Sequence, residues 1–111
     1  MLLNPGDKLH IITRQRYEND LRRHFAGEVQ TVTESTVLVK GYSFVFDGIS
    51  NEFKRREDVR IRIFPLTDAG LIINLIPKET NIDNVTYELS AENHMVVTDG
   101  KHFTLDLREF Y

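Results

Sequence analysis

The sequence predicts an all-β fold, a small barrel or sandwich of about seven to nine short, mainly antiparallel strands. Three observations carry this. β-Branched and aromatic residues arrive in short alternating runs. The runs are separated by TES, DGISN, TDAG, PKETNID, AEN and TDG, all rich in residues that tolerate turn dihedrals. No long stretch keeps a helical period. The predicted strands are Lys8–Arg16, Arg22–Thr33, Thr36–Asp47, Glu52–Arg55, Val59–Leu66, Leu71–Ile76, Thr86–Ser90, His94–Thr98 and Lys101–Arg108.

The first two form a hairpin if Glu18-Asn19-Asp20 is its loop, placing Thr13 opposite Phe25, Ile11 opposite Gly27 and Leu9 opposite Val29. One face then carries Leu9, Ile11, Tyr17, Leu21, Phe25 and Val29. The other carries His10, Ile12, Arg14, Arg16, Arg22, His24 and Glu28. Like charges paired across strands cost about a few tenths of a kcal/mol each, so the basic face needs compensation or a use. Tyr17, Leu21 and Phe25 also stand at helical spacing, and Gly27 suits a helix end, so a short helix over Gln15–Ala26 is the alternative. The β pattern on both flanks favours the hairpin.

Thr36–Asp47 and Leu71–Ile76 are apolar on both faces, through SFVF and LIINLI. Such strands need a second cover, either another layer of the same chain or another subunit. Phe44, Phe46, Leu71 and Ile73 are therefore the candidate self-association residues. In Val59–Leu66, Arg60 and Arg62 alternate with Val59, Ile61 and Ile63, which reads as the wet face of a half-buried strand. Pro77 to Asn84 is a loop-like seam within one domain spanning 1–111. Beyond it, a loop of Thr98-Asp99-Gly100 with glycine left-handed pairs Val97 with Lys101 and Met95 with Phe103. Met95, Val97, Phe103, Leu105 and Leu107 then share an inward face, with His94, Val96, His102, Thr104 and Asp106 outward.

At 111 residues the chain is one ordinary domain, able to bury a core without staples. An apolar share of 41% against 28% charged residues excludes intrinsic disorder. The absence of cysteine removes disulfides, thiolate metal sites and cysteine nucleophiles, and suits the cytoplasm. No secretory leader or membrane-spanning stretch is expected. The net charge of −3 is uneven: residues 1–65 hold eleven Lys/Arg against nine Asp/Glu, giving +2, and residues 66–111 hold three against eight, giving −5. That lacks the strongly basic balance of a nucleic-acid protein.

Asp68, Asp83 and Asp99 are expected in turns, their side chains capping backbone N–H groups. His94 and His102 come out as diagonal neighbours on a solvated face, with no third ligand spaced for zinc. No GxSxG, phosphate-cradling glycine run or HExxH is present, so no catalytic residue, metal or cofactor is assigned. The one functional reading of the charges joins Arg14, Arg16, Arg22 and Arg23 to Arg60 and Arg62 as an anion-binding surface. Aromatic residues near it would stack single strands.

GDKLHIITRQRYENDLRRHFAGEV, followed by VKGYSFVFD, DAGLIINLIP and VVTDGKHFTLDLREF, resembles a family of small uncharacterised bacterial proteins over nearly the whole chain. The resemblance implies a compact bacterial β protein and supplies no activity, cofactor or catalytic residue. The leading expectation is a non-catalytic binding module that forms a homo-oligomer, a dimer or higher, through an apolar sheet face. Anion or nucleic-acid binding through the Arg14–Arg23 hairpin is the alternative, and an enzyme with a site assembled across strands is third. No membrane partner is expected.

Overall fold

Alternation sets the architecture: successive side chains of a strand point to opposite faces, and here both faces of the long strands find cover within the chain. A computed structural model describes residues 2–14 and 22–110, the side chains of 109 and 110 excepted. Nine strands lie in these residues: β1 (Lys8–Thr13), β2 (Arg23–Val32), β3 (Thr36–Asp47), β4 (Glu52–Arg55), β5 (Arg60–Pro65), β6 (Leu71–Ile76), β7 (Thr86–Leu89), β8 (Met95–Thr98) and β9 (Thr104–Asp106). Two 3₁₀ turns, η1 (Ile82–Asn84) and η2 (Leu107–Phe110), complete the elements.

All pairings are antiparallel. The larger sheet runs β4-β3-β2-β1-β6, with β5 also paired to β3, and the smaller runs β7-β8-β9. β3 is long enough for two partners on one edge: Thr36–Gly41 pairs with β5 and Phe44–Asp47 with β4. Among the described residues the larger sheet is open, with β6 at one edge and β4 and β5 at the other. The radius of gyration is 13.6 Å, close to the ~13 Å expected of a packed domain this size.

The larger sheet buries Leu9, Ile11, Phe25, Val29, Val37 and Val39 on its first face. Phe64 of β5 and Leu71 and Ile73 of β6 pack against them in the same cluster. Gly27 and Gly41, paired across β2 and β3, let the two backbones meet closely: a Cβ on Gly41 would lie 2.0 Å from the Ala26 carbonyl oxygen. On the second face Ile12, Ala26, Phe44 and Ile76 pack against Val85, Val97, Phe103 and Leu107 of the smaller sheet and its flanks. The double-sided strands are thus met by another layer of the same chain.

Several expectations need correction. The β1–β2 register pairs Thr13 with Arg23, Ile11 with Phe25 and Leu9 with Gly27, two residues from the predicted pairing, which keeps each of these paired residues on its predicted face. Residues 23–26 are strand, contrary to the helical alternative; Gln15 to Leu21, with Arg16 and the Glu18-Asn19-Asp20 loop, lie outside the described residues. On the face bearing His10 and His24, both histidines are buried beneath the smaller sheet. In β5 the alternation fails to bury a face, because Ile61 and Ile63 are 62% and 69% exposed on the same strand as exposed Arg60 and Arg62, and Val59 just before it is 48% exposed. β8 pairs Val97 with Leu105, not Lys101, through a longer loop. Phe103 is nevertheless buried, His102 exposed, and Gly100 left-handed at φ 82°.

A candidate site between the two sheets

Three elements bring a polar cluster into the space between the sheets. His10 and His24 project from β1 and β2, and Tyr87 comes down from β7. His10 Nε2 lies 2.8 Å from the Tyr87 hydroxyl and His24 Nδ1 lies 2.7 Å from it. A phenol has one hydrogen to give, so one imidazole donates to Tyr87 and the other accepts from it. His10 Nδ1 is buried without a protein partner, as is Nδ2 of Asn74, directly across from it on β6. An unmet lone pair costs less than an unmet N–H, and a lone pair on Nδ1 complements the Asn74 donor. With the proton on His10 Nε2, His10 donates to Tyr87 and Tyr87 to His24 Nδ1, and only a lone pair is left unmet at His10 Nδ1; the opposite tautomer leaves an N–H unmet there.

Burial holds both imidazoles neutral. It lowers His10 to about 4. His24 falls to about 3 through burial first, with the neighbouring His10 and Arg22 adding to it. Aromatic rings enclose the cluster: Phe53 stacks on Tyr87 at 4.5 Å and 23°, and lies 4.5 Å from His24, with Phe44 5.0 Å from Tyr87. On one side of the Phe53–Tyr87 stack lies a cleft of about 470 Å³ bounded by Phe44, Arg55, Asp83 and Asp99. On the other, a cleft of about 520 Å³ is bounded by Glu52, Glu88, Leu89 and Met95. The cluster is a hydrogen-bonded chain of neutral groups that ties β7 to β1 and β2. No group of three or more metal-ligating side chains converges among the described residues.

The rim is built by loop residues. Asp99 Oδ1 accepts from the backbone N–H of Lys101, His102 and Phe103, and Oδ2 from Asn81. Burial would raise its carboxyl, but these four donors prevail and hold it at about 2. Asp68 caps Gly70 as expected of a turn aspartate, whereas Asp83 accepts instead from the Tyr42 hydroxyl at 2.8 Å. Arg55 lies over the Tyr42 ring at 4.6 Å and donates to the Asp83 carbonyl.

The arginines marked by sequence are divided. Arg14 and Arg22 follow the second face, Arg22 standing 5.2 Å over the Phe46 ring. Arg23 shares the first face with Val45, and Arg60 and Arg62 lie on that face opposite Gly41 and Val39. Arg16 lies outside the described residues. Of the self-association set, Phe44 is enclosed at 1% exposure and Phe46 packs 5.2 Å from Phe53, both on the second face. Leu71 and Ile73 are half-buried on the first. His94 meets Asp106 at 3.2 Å, and His102 stands apart, exposed, in the loop. The His10–Tyr87–His24 cluster was missed by sequence reasoning. Its one signal was Ile12 between the two histidines in the face order, an apolar residue that a wet face does not need.

Comparison of the chain with family models, with curated proteins and with solved structures finds no match. No helix of the described residues is long and apolar enough to cross a membrane.

Proposed function

We propose that this chain is a non-catalytic interaction module, a small two-layer sandwich that pairs with a second copy of itself along the outer edge of β5. The observation that carries the reading is Ile61 and Ile63, exposed on a strand whose outer edge is unpaired among the described residues, with Val59 exposed just before it. Native sheets blunt such edges with charge or cover, and large apolar side chains there invite pairing. An antiparallel strand pair about a twofold axis satisfies the sequence. Val59 then faces Ile61 of the partner subunit, and Arg62 faces the partner's Asp58, each twice by symmetry. Arg60 would meet its own copy at the axis, and Asp58 already lies 3.7 Å from it to offset the charge. The comparisons supply no relative whose activity could be carried over, so the reading rests on β5.

Anion binding has less support, because Arg14 and Arg22 lie on one face and Arg23, Arg60 and Arg62 on the other. Light scattering on a sizing column across the micromolar range tests the pairing. The expected mass is twice the 13.0 kDa of one chain, falling to one chain in Ile61→Asp with its far-UV circular dichroism unchanged. A wild-type protein that keeps the single-chain mass throughout overturns the proposal.

A further inference from the structure

β5 gathers its charge on one face. Arg60 and Arg62 share the first face of the larger sheet, where β3 sets Gly41 and Val39 directly beside them. Glycine brings no side chain there and valine an apolar one, so neither cross-strand neighbour on β3 is a carboxylate. Asp58 is the acid that meets this strand, 3.7 Å from Arg60. The Arg60 side chain is 51% exposed and that of Asp58 80%, so water screens the pair and it holds neither group firmly.

The β5 pairing proposed above doubles this charge at one place. About a twofold axis normal to the sheet, the first face of one copy continues into the first face of the other. Arg60 then lies at the axis beside the partner's Arg60, with Cα atoms about 4.5–5.5 Å apart, as in any directly opposed pair. Arg62 lies about 7 Å along the strand on either side, facing the partner's Asp58. Each copy brings two arginines and one aspartate, so four guanidinium groups gather around two carboxylates, an excess of two. Asp58 is divided between its own Arg60 and Arg62 of the partner subunit. The excess therefore falls at the axis, where like charges directly opposite weaken a strand pair.

We infer that the seam of the dimer binds a phosphate dianion between Arg60 and the partner's Arg60, on the first face of the joined sheet. This rests on the β5 pairing, because one copy supplies only half of the site. A dianion cancels the excess of two, and arginine's planar fork meets phosphate oxygens two at a time. The site lies on an open sheet face, so the dianion is a free phosphate ion or the end of a phosphate monoester. Ion binding and pairing are coupled: whatever binds the dimer and not the single chain draws the equilibrium toward the dimer.

The dimer dissociation constant of the full chain, measured by sedimentation equilibrium at mildly alkaline pH, tests this. Inorganic phosphate and glycerol phosphate are each compared with chloride at matched ionic strength, which takes plain screening out of the comparison. Each phosphate is expected to tighten the dimer about tenfold, the size of one charge-assisted bond. Inorganic phosphate acting alone also bears the inference out, with the free ion as the ligand. Arg60→Gln removes the repulsion and the site together. It should pair in chloride at least as tightly as the wild type and ignore phosphate. A wild-type dimer equally tight in chloride and in both phosphates overturns the inference and leaves the β5 pairing standing. An Arg60→Gln dimer that still tightens with phosphate does the same. A single-chain mass in every buffer overturns the pairing and the inference with it.

Discussion

A single phenol hydroxyl stands between two buried imidazoles, and its loss would strand both. In Tyr87→Phe the ring keeps its stack on Phe53, so the change isolates the hydroxyl. His10 Nε2 and His24 Nδ1 lose the partner they share. A buried polar group without a partner costs about 1–3 kcal/mol, so a loss of roughly 2–4 kcal/mol is expected in urea unfolding. A loss under about 0.5 kcal/mol, the scatter of surface changes, would mean that the hydroxyl holds nothing. Asp99→Ala removes an acceptor shared by four backbone N–H groups and should cost about 3 kcal/mol, read the same way. Asp99 was legible as a turn residue because its partners lie within four positions of it or in the adjoining loop. The histidines were not legible, because Tyr87 is 77 residues from His10 and 63 from His24. Polar residues on an alternating strand read as wet until the covering layer is known.

At the scale of the element, strand positions and faces were legible and registers were not, for one physical reason. A shift by an even number of residues leaves every side chain on its face, so the hydrophobic pattern cannot distinguish the two pairings. Both hairpin discrepancies are of this kind, two residues at β1–β2 and four at β8–β9. In the second, the Asp99 carboxylate gathers three successive N–H groups, and so favours a wider loop than the Asp-Gly pair alone suggests. The bounds of β3, β4 and β6 match the alternating runs, since turn residues flank each one. β5 was misread because alternation promises a buried face only if something lies against it. Glycine gives the sharpest test at this scale. Gly41→Ala drives a Cβ into the backbone of β2 and should cost about 4 kcal/mol or more, or prevent folding. Gly48→Ala, in the β3–β4 turn with nothing within 4 Å of its Cβ, should stay within about 0.5 kcal/mol of wild type. Thermal unfolding of both variants decides it, and equal midpoints would mean that the Gly27–Gly41 contact is not needed.

The whole molecule is held together across a boundary where two neutral histidines sit under the smaller sheet, and this ties global stability to pH. Unfolded, each histidine titrates near 6.5; folded, His10 titrates at about 4 and His24 at about 3. Above pH 6.5 both states are largely neutral and the histidines contribute no pH dependence. Between 6.5 and 4 the unfolded chain binds protons that the folded chain refuses, so stability falls as pH falls. The limiting slope is about 1.4 kcal/mol per pH unit for each histidine. Two such slopes acting together remove about 5 kcal/mol between pH 6.5 and 4.5, a large part of a typical total of about 5–15 kcal/mol. Asp99, depressed to about 2, acts in a different window: its stabilisation is present above 3.8 and is lost as pH falls toward 2. Urea midpoints measured from pH 7.5 down to 4.5 should therefore decline throughout the lower part of that range, before Asp99 contributes. His24→Phe, which keeps a ring against Phe53, should remove about half the slope. Stability that stays flat between pH 7 and 5 would show that these imidazoles are hydrated, and that the two sheets do not close over them as tightly as Tyr87 implies.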